Sequence, residues 1–244
     1  MNYLNIIDNI PHDLRRTLFS IINKRRFDIF QSKRSVISDN GYTFEPFDRY
    51  SCIFIHIPKA AGVSVSKALF GNFAGGHTKV SDYQLIFNKS DFERYFKFSF
   101  VRNPWDRVYS AYTFLIRGGM SNADRGWISG KLNQYNDFNE FVRNGLPDSE
   151  VMNWIHFIPQ THFLYKAGSK TLGVDFIAKF ETLNDDFEEI RKRLVLPENV
   201  KLNHENPTLK RKESYLDIYN DESINIVADL YSDDVREFNY KFSD

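Results

Sequence analysis

The chain has 244 residues, of which 42% are hydrophobic and 26% charged, a balance that suits one large soluble domain around a single core. Lys and Arg number 32, as do Asp and Glu, so the net charge is zero and the basic excess of a nucleic-acid binder is missing. The single cysteine, Cys52, excludes an internal disulfide, argues against a thiolate zinc site and fits a reducing compartment.

Residues 1–50 read as an N-terminal helical appendage to a domain over 51–244. Asp8, Asp13, Arg15 and Arg16 interrupt the early apolar residues, so this is no signal peptide. No run approaches the ~20 apolar residues needed to cross a bilayer, and a cytoplasmic protein is expected. Pro11 can start a helix, with Leu14, Leu18, Ile21 and Ile22 at helical spacing. Lys24-Arg25-Arg26 reads as a solvated helix face in preference to a membrane-surface helix, and 36–50 as loop.

A nearly unbroken apolar run over 52–57 predicts a central parallel strand buried on both faces. A helix follows to about Phe73, and Gly75-Gly76-His77 breaks the chain. A helix is expected in the low 80s, a second strand over 96–101, and a helix from Pro104 to about Arg117, stopped by Gly118 and Gly119. Residues 118–136 are rich in Gly, Ser and Asn and read as a long surface loop suited to substrate contacts. Helical patterns return over 137–145 and 150–157, a third strand over 174–179, then a helix through Leu183, Phe187, Ile190 and Leu194. Residues 197–213 read as loop, and a last helix covers about 222–231. Strands alternating with helices predict an α/β, P-loop-like three-layer fold with a central parallel sheet flanked by helices.

Two strand-loop-helix junctions are chemically suited to anions. In Pro58-Lys59-Ala60-Ala61-Gly62-Val63-Ser64, the helix start offers unpaired N–H groups, and Gly62 permits close backbone approach. Lys59 adds a charge, and Ser64 and Ser66 add hydroxyls. The Lys precedes a single Gly, so this is not the P-loop pattern, and a tight turn with a solvated lysine would satisfy the same residues. In the second junction Arg102 stands at a strand end and Ser110 lies eight residues on (110 − 102 = 8), with Arg107 between them. A phosphate could take a bidentate contact from Arg102 and a hydrogen bond from Ser110; alternatively Arg102 pairs with Asp106 and Ser110 packs. Both junctions fall at carboxyl ends of strands, where α/β sheets bind ligands, which suggests one ligand with two separated anionic groups.

Together these residues resemble the sulfotransferases that use 3′-phosphoadenosine-5′-phosphosulfate (PAPS), most closely the carbohydrate branch with its Golgi-type and bacterial members. His156-Phe157-Ile158-Pro159-Gln160, Lys179-Phe180-Glu181-Thr182-Leu183 and Phe238-Asn239-Tyr240-Lys241-Phe242 are also similar, so the likeness spans roughly residues 50 to 244. The resemblance implies a PAPS donor, a carbohydrate acceptor and no metal. It implies that Lys59, Ala61, Gly62, Val63 and Ser64 hold the 5′-phosphosulfate and that Arg102 and Ser110 hold the 3′-phosphate. Lys59 would stabilise the leaving oxygen and His77 would be the general base. Ala60 and Val63 stand where the family often has hydroxyls, so weaker donor binding is expected.

His56, inside a buried strand, reads as a core residue; His156 and His162 could contact the acceptor or pack. Asp82 and Glu181 are weaker base candidates and read better as exposed or structural carboxylates. Trp105 could stack on adenine or pack beside Pro104, and Lys210-Arg211-Lys212 could fold over the nucleotide or stand as a solvated charge run. Acceptor contacts would come from 118–136 and 150–165. The competing readings are a small-molecule kinase, which would need magnesium and a Walker-type Asp, and a non-catalytic nucleotide- or glycan-binding module.

Overall fold

Cys52–Ile55 (β1), Phe96–Val101 (β2) and Phe176–Lys179 (β3) form a parallel sheet in the order β1-β2-β3. The computed structural model describes residues 10–36, 42–202 and 213–244, with backbone alone at 128 and 129. The register sets Cys52 beside Phe96 and Ile55 beside Ser99, then Phe98 beside Phe176 and Val101 beside Lys179. All four β1 residues are buried, as the apolar run required. The polar members of β2 are satisfied locally. Ser99 Oγ donates to the Ile55 carbonyl at 2.7 Å, and buried Lys97 donates to the carbonyls of Phe92 and Tyr95 and pairs with Asp175 at 2.9 Å.

Helices α1 (His12–Ile22), α2 (Lys24–Ser35) and α3 (Glu45–Tyr50) precede β1 in the chain. Between β1 and β2 come α4 (Gly62–Phe70), α5 (Val80–Ile86) and α6 (Lys89–Arg94). Between β2 and β3 come α7 (Pro104–Ile116), α8 (Asn122–Trp127), α9 (Phe138–Glu140), α10 (Ser149–Met152) and α11 (Thr161–Leu164). After β3 come α12 (Leu183–Arg193), α13 (Asp221–Leu230) and α14 (Ser232–Phe238). The α/β class and the parallel sheet flanked by helices are therefore as the alternation of patterns predicted.

The segments Met1–Ile57, Ala61–Val101 and Thr161–His204 form one compact unit, which contains the sheet. Its core is aromatic: Phe44, Phe47 and Tyr83 are buried together, with ring centroids 5.8–6.3 Å apart, and Tyr83 donates to the Phe54 carbonyl. Cys52 is fully buried in β1, and burial pushes its thiol pKa up. The segments Pro58–Ala60, Arg102–Gln160 and Glu205–Asp244 form the second unit. Its core gathers Tyr109, Tyr112 and Tyr219 around Phe138, and Phe141 against Phe157.

Several elements depart from expectation. Residues 45–50 are helix, not loop, because Pro46 and Phe47 are buried and the acidic first turn suits a helix start. Residues 118–136 are not a long loop: α8 and a π-helical turn, Ile128–Leu132, occupy most of it. The glycines that suggested a loop act at its entry, where Gly118 and Gly119 take positive φ and end α7. A second π-helical turn, Phe141–Gly145, continues α9. The expected last helix is followed by α14, with Tyr231 alone between the two.

Candidate active site

Strand β1 stops at Ile55, two residues earlier than its apolar run predicts, and His56-Ile57-Pro58 carries the chain into the first junction. Lys59 and Ala61 adopt left-handed backbone, at φ 69° and 63°. Such a conformation is uncommon for residues with a Cβ and costs about 1–2 kcal/mol at each. It ends the extended chain within a few residues and opens α4 at Gly62.

In the sheet-bearing unit, Gly62 lies against the buried imidazole of His56. A Cβ at position 62 would fall 1.7 Å from His56 Cδ2, so no side chain fits. Val63 is exposed and Ser64 half-buried on the first turn of α4. Ser66 is different: its hydroxyl is buried and donates to the Asn72 carbonyl at 2.9 Å, so it serves the end of its own helix, not the loop. His77, exposed, points Nδ1 at the His56 carbonyl at 3.2 Å. A carbonyl only accepts, so Nδ1 carries a proton. Asp82 pairs with Arg26 at 3.3 Å. Glu181 and His162 are exposed.

In the second unit, Asn103 caps α7 by accepting from Trp105 N at 3.1 Å, and Pro104 fills the first turn. Arg102 is 3% exposed. Its Nε and Nη2 donate to Asp106 Oδ2 at 2.6 and 2.5 Å. Its Nη1 donates to Ser110 Oγ at 3.2 Å and to the Lys59 carbonyl at 3.0 Å. Arg102 therefore pairs with Asp106 and also binds Ser110, and it ties the second junction to Lys59 of the first. Gln160 locks the backbone of Arg102 from both sides, accepting from Arg102 N and donating to Arg102 O, each at 2.8 Å. Gln160 N in turn donates to buried Asp234 at 2.7 Å.

The Lys59 ammonium stands 3.8 Å above the ring centroid of Phe114, a close cation–π contact. Asp106, Ser110 and Phe114 follow at intervals of four on α7, so they share one face and carry on from Arg102. That spacing is visible in the sequence, but an aromatic at helical spacing is ordinarily core, and although Gln160 closes a family-like segment nothing in the sequence pairs position 160 with 102. His156 sits edge-on to Phe114 and bonds Asp124 at 3.3 Å. Burial pushes the Asp124 pKa up, but hydrogen bonds from the N–H groups of Met120 and Ser121, from the Ser121 side chain and the nearness of His156 outweigh it and leave it lowered.

Trp105 is buried with Nε1 donating to the Ile224 carbonyl at 2.9 Å, so it is a packing residue of the second unit. Arg107 is fully buried, donating to the carbonyls of His156 and Ile158 at 3.2 and 2.6 Å, and burial lowers its pKa. It holds the 156–160 segment in place. Lys210-Arg211-Lys212 lies outside the described residues.

The chain belongs to the sulfotransferase family, whose sequence model matches residues 43–241. An uncharacterised protein of Archaeoglobus fulgidus is 31% identical over 115 residues, a stretch covering 46% of this chain and 78% of that protein. No solved structure matches the chain. No helix among the described residues is long and apolar enough to cross a membrane.

Proposed function

We propose that this protein transfers a sulfuryl group from PAPS to a hydroxyl of a carbohydrate acceptor, in the cytoplasm. The observation that carries the reading is the Arg102 guanidinium, which binds Ser110 and the Lys59 carbonyl at once and so joins the residues suited to either end of a doubly anionic nucleotide. Membership in the sulfotransferase family supports the reaction class.

The donor supplies an activated sulfuryl group on its 5′-phosphate and a second phosphate at the 3′ position. The N–H groups of Gly62, Val63 and Ser64, with Ala61 setting the turn, hold the 5′-phosphate at the positive end of α4. Val63 brings no hydroxyl there, a loss of about 1 kcal/mol that backbone donors partly offset. Arg102 and Ser110 hold the 3′-phosphate; Ser110 accepts from Arg102, which leaves its own hydroxyl proton to donate. Lys59 stabilises charge on the bridging oxygen as it departs, and Phe114 keeps its ammonium over one spot. His77 Nε2 takes the proton of the attacking hydroxyl, its ring held by the Nδ1 bond to the His56 carbonyl.

Calorimetry tests the donor site. Adenosine 3′,5′-bisphosphate should bind without magnesium, and ATP much more weakly. Preference for ATP with magnesium would replace this reading with a kinase. Lys59→Ala should lower the sulfation rate on a reactive glycan by about 100-fold or more, as loss of a charge-stabilising donor does. Undiminished transfer would remove Lys59 from the chemistry.

A further inference from the structure

His56 is a buried imidazole with no ionic partner among the described residues, and burial, then the neighbouring His77, drives its pKa well below the usual histidine value. The buried surroundings favour its neutral form. Its ring stacks on Phe54 at 5.9 Å and 7° on one side and meets the His77 ring at 4.4 Å and 60° on another. On a third it fills the volume that a side chain at Gly62 would occupy: a Cβ there would lie 1.7 Å from Cδ2 and 2.1 Å from Nε2. Its backbone carbonyl accepts the Nδ1 proton of His77.

One residue thus touches the first residue of α4 with its ring, and His77 with both ring and carbonyl. We propose that His56 is a positioning residue that couples occupation of the loop at Gly62 to the orientation of His77. The proposal rests on the reading of Gly62–Ser64 as phosphate donors and of His77 as base. A close-packed interior passes small displacements on, because contacting side chains have no slack to absorb them. A shift of the first turn of α4 when an anion arrives must press on the His56 ring, and the ring has Phe54 behind it and His77 beside it. The carbonyl of the same residue fixes the tautomer of His77, so His77 is aligned only while His56 keeps its place.

The test uses full-length protein with 13C-labelled histidine, the His77 ring signal being assigned with His77→Asn. Adenosine 3′,5′-bisphosphate should shift that signal in the wild type. In His56→Ala, the nucleotide should still bind, within about 3-fold of wild type, while the His77 shift falls by at least about half and kcat drops about 10-fold. Gly62→Ala, which keeps His56 but drives a methyl into its ring, should also depress kcat, and adding His56→Ala to it should restore part of the loss. If His56→Ala does not fold, Gly62→Ala alone decides by the same His77 signal. Nucleotide binding that leaves His77 unmoved, or moves it equally in His56→Ala, would overturn the coupling alone. Failure of the nucleotide to bind wild type would overturn the proposed function beneath it.

Discussion

Arg102 shows how one side chain is fixed before any ligand arrives. Asp106 takes one edge of the guanidinium, Ser110 and the Lys59 carbonyl share the other, and Gln160 clamps the backbone. Arg102→Lys keeps the charge but loses the planar fork, and a lysine cannot serve Asp106, Ser110 and the Lys59 carbonyl together. Affinity for adenosine 3′,5′-bisphosphate should fall about 10- to 100-fold, the range for lost hydrogen bonds to a charged group; titration calorimetry on the variant checks this. His56 yields a prediction about pH. Unfolding frees its imidazole to take a proton near the ordinary value of 6.5, while the folded ring resists protonation because it is buried. Below that pH the unfolded chain binds more protons, so this contribution to stability is complete above 6.5 and is lost as the pH falls further. His56→Asn should flatten the dependence: between pH 7 and 5.5 the wild type should lose about 1 kcal/mol more in urea unfolding than the variant. His12, also lowered by burial, is common to both proteins and cancels.

At the scale of elements, α7 carries Asp106, Ser110 and Phe114, and its start depends on Asn103. That side chain caps Trp105 N and also donates to the Lys241 carbonyl at 2.8 Å. Asn103→Ala should destabilise the protein by about 1–2 kcal/mol in chemical denaturation, with nucleotide binding weakened as the first turn frays. An unchanged midpoint would show that Pro104 alone fixes the helix start. The elements with strong local signals were legible in the sequence: β2 and α7 fall where an apolar run, a Pro at the first turn and a Gly-Gly stop place them. The misread ones are those where composition and packing disagree. Residues 118–136 look like loop by their Gly, Ser and Asn, yet α8 forms there, with Asp124 bound to the N–H groups of Met120 and Ser121 and to His156. The site shows the same division. Lys59, Arg102 and Ser110 stand in recognisable motifs. Phe114 does not, and the pairing of Gln160 with Arg102 is hidden because the two are 58 residues apart in the chain.

For the whole molecule, the family match begins at residue 43, while described helices start at His12. Arg15 is 2% exposed and donates to Gln84 and the Ser81 carbonyl, Phe19 is buried, and Gln31 donates to the Ile86 carbonyl. These contacts lie within the sheet-bearing unit. Burial of Phe19 alone is worth about 1.5–3 kcal/mol, so a chain lacking residues 1–41 should melt roughly 5–10 °C lower by calorimetry. An unaltered melting temperature would mark the N-terminal region as a true appendage.

Cys52 offers a practical opening. With its sulfur sealed inside β1 and no other thiol in the chain, a maleimide dye has nothing to react with in the native protein. Val63→Cys would place one reactive handle on an exposed position of the α4 start. A fluorophore there would report nucleotide arrival by its change in brightness, without background labelling.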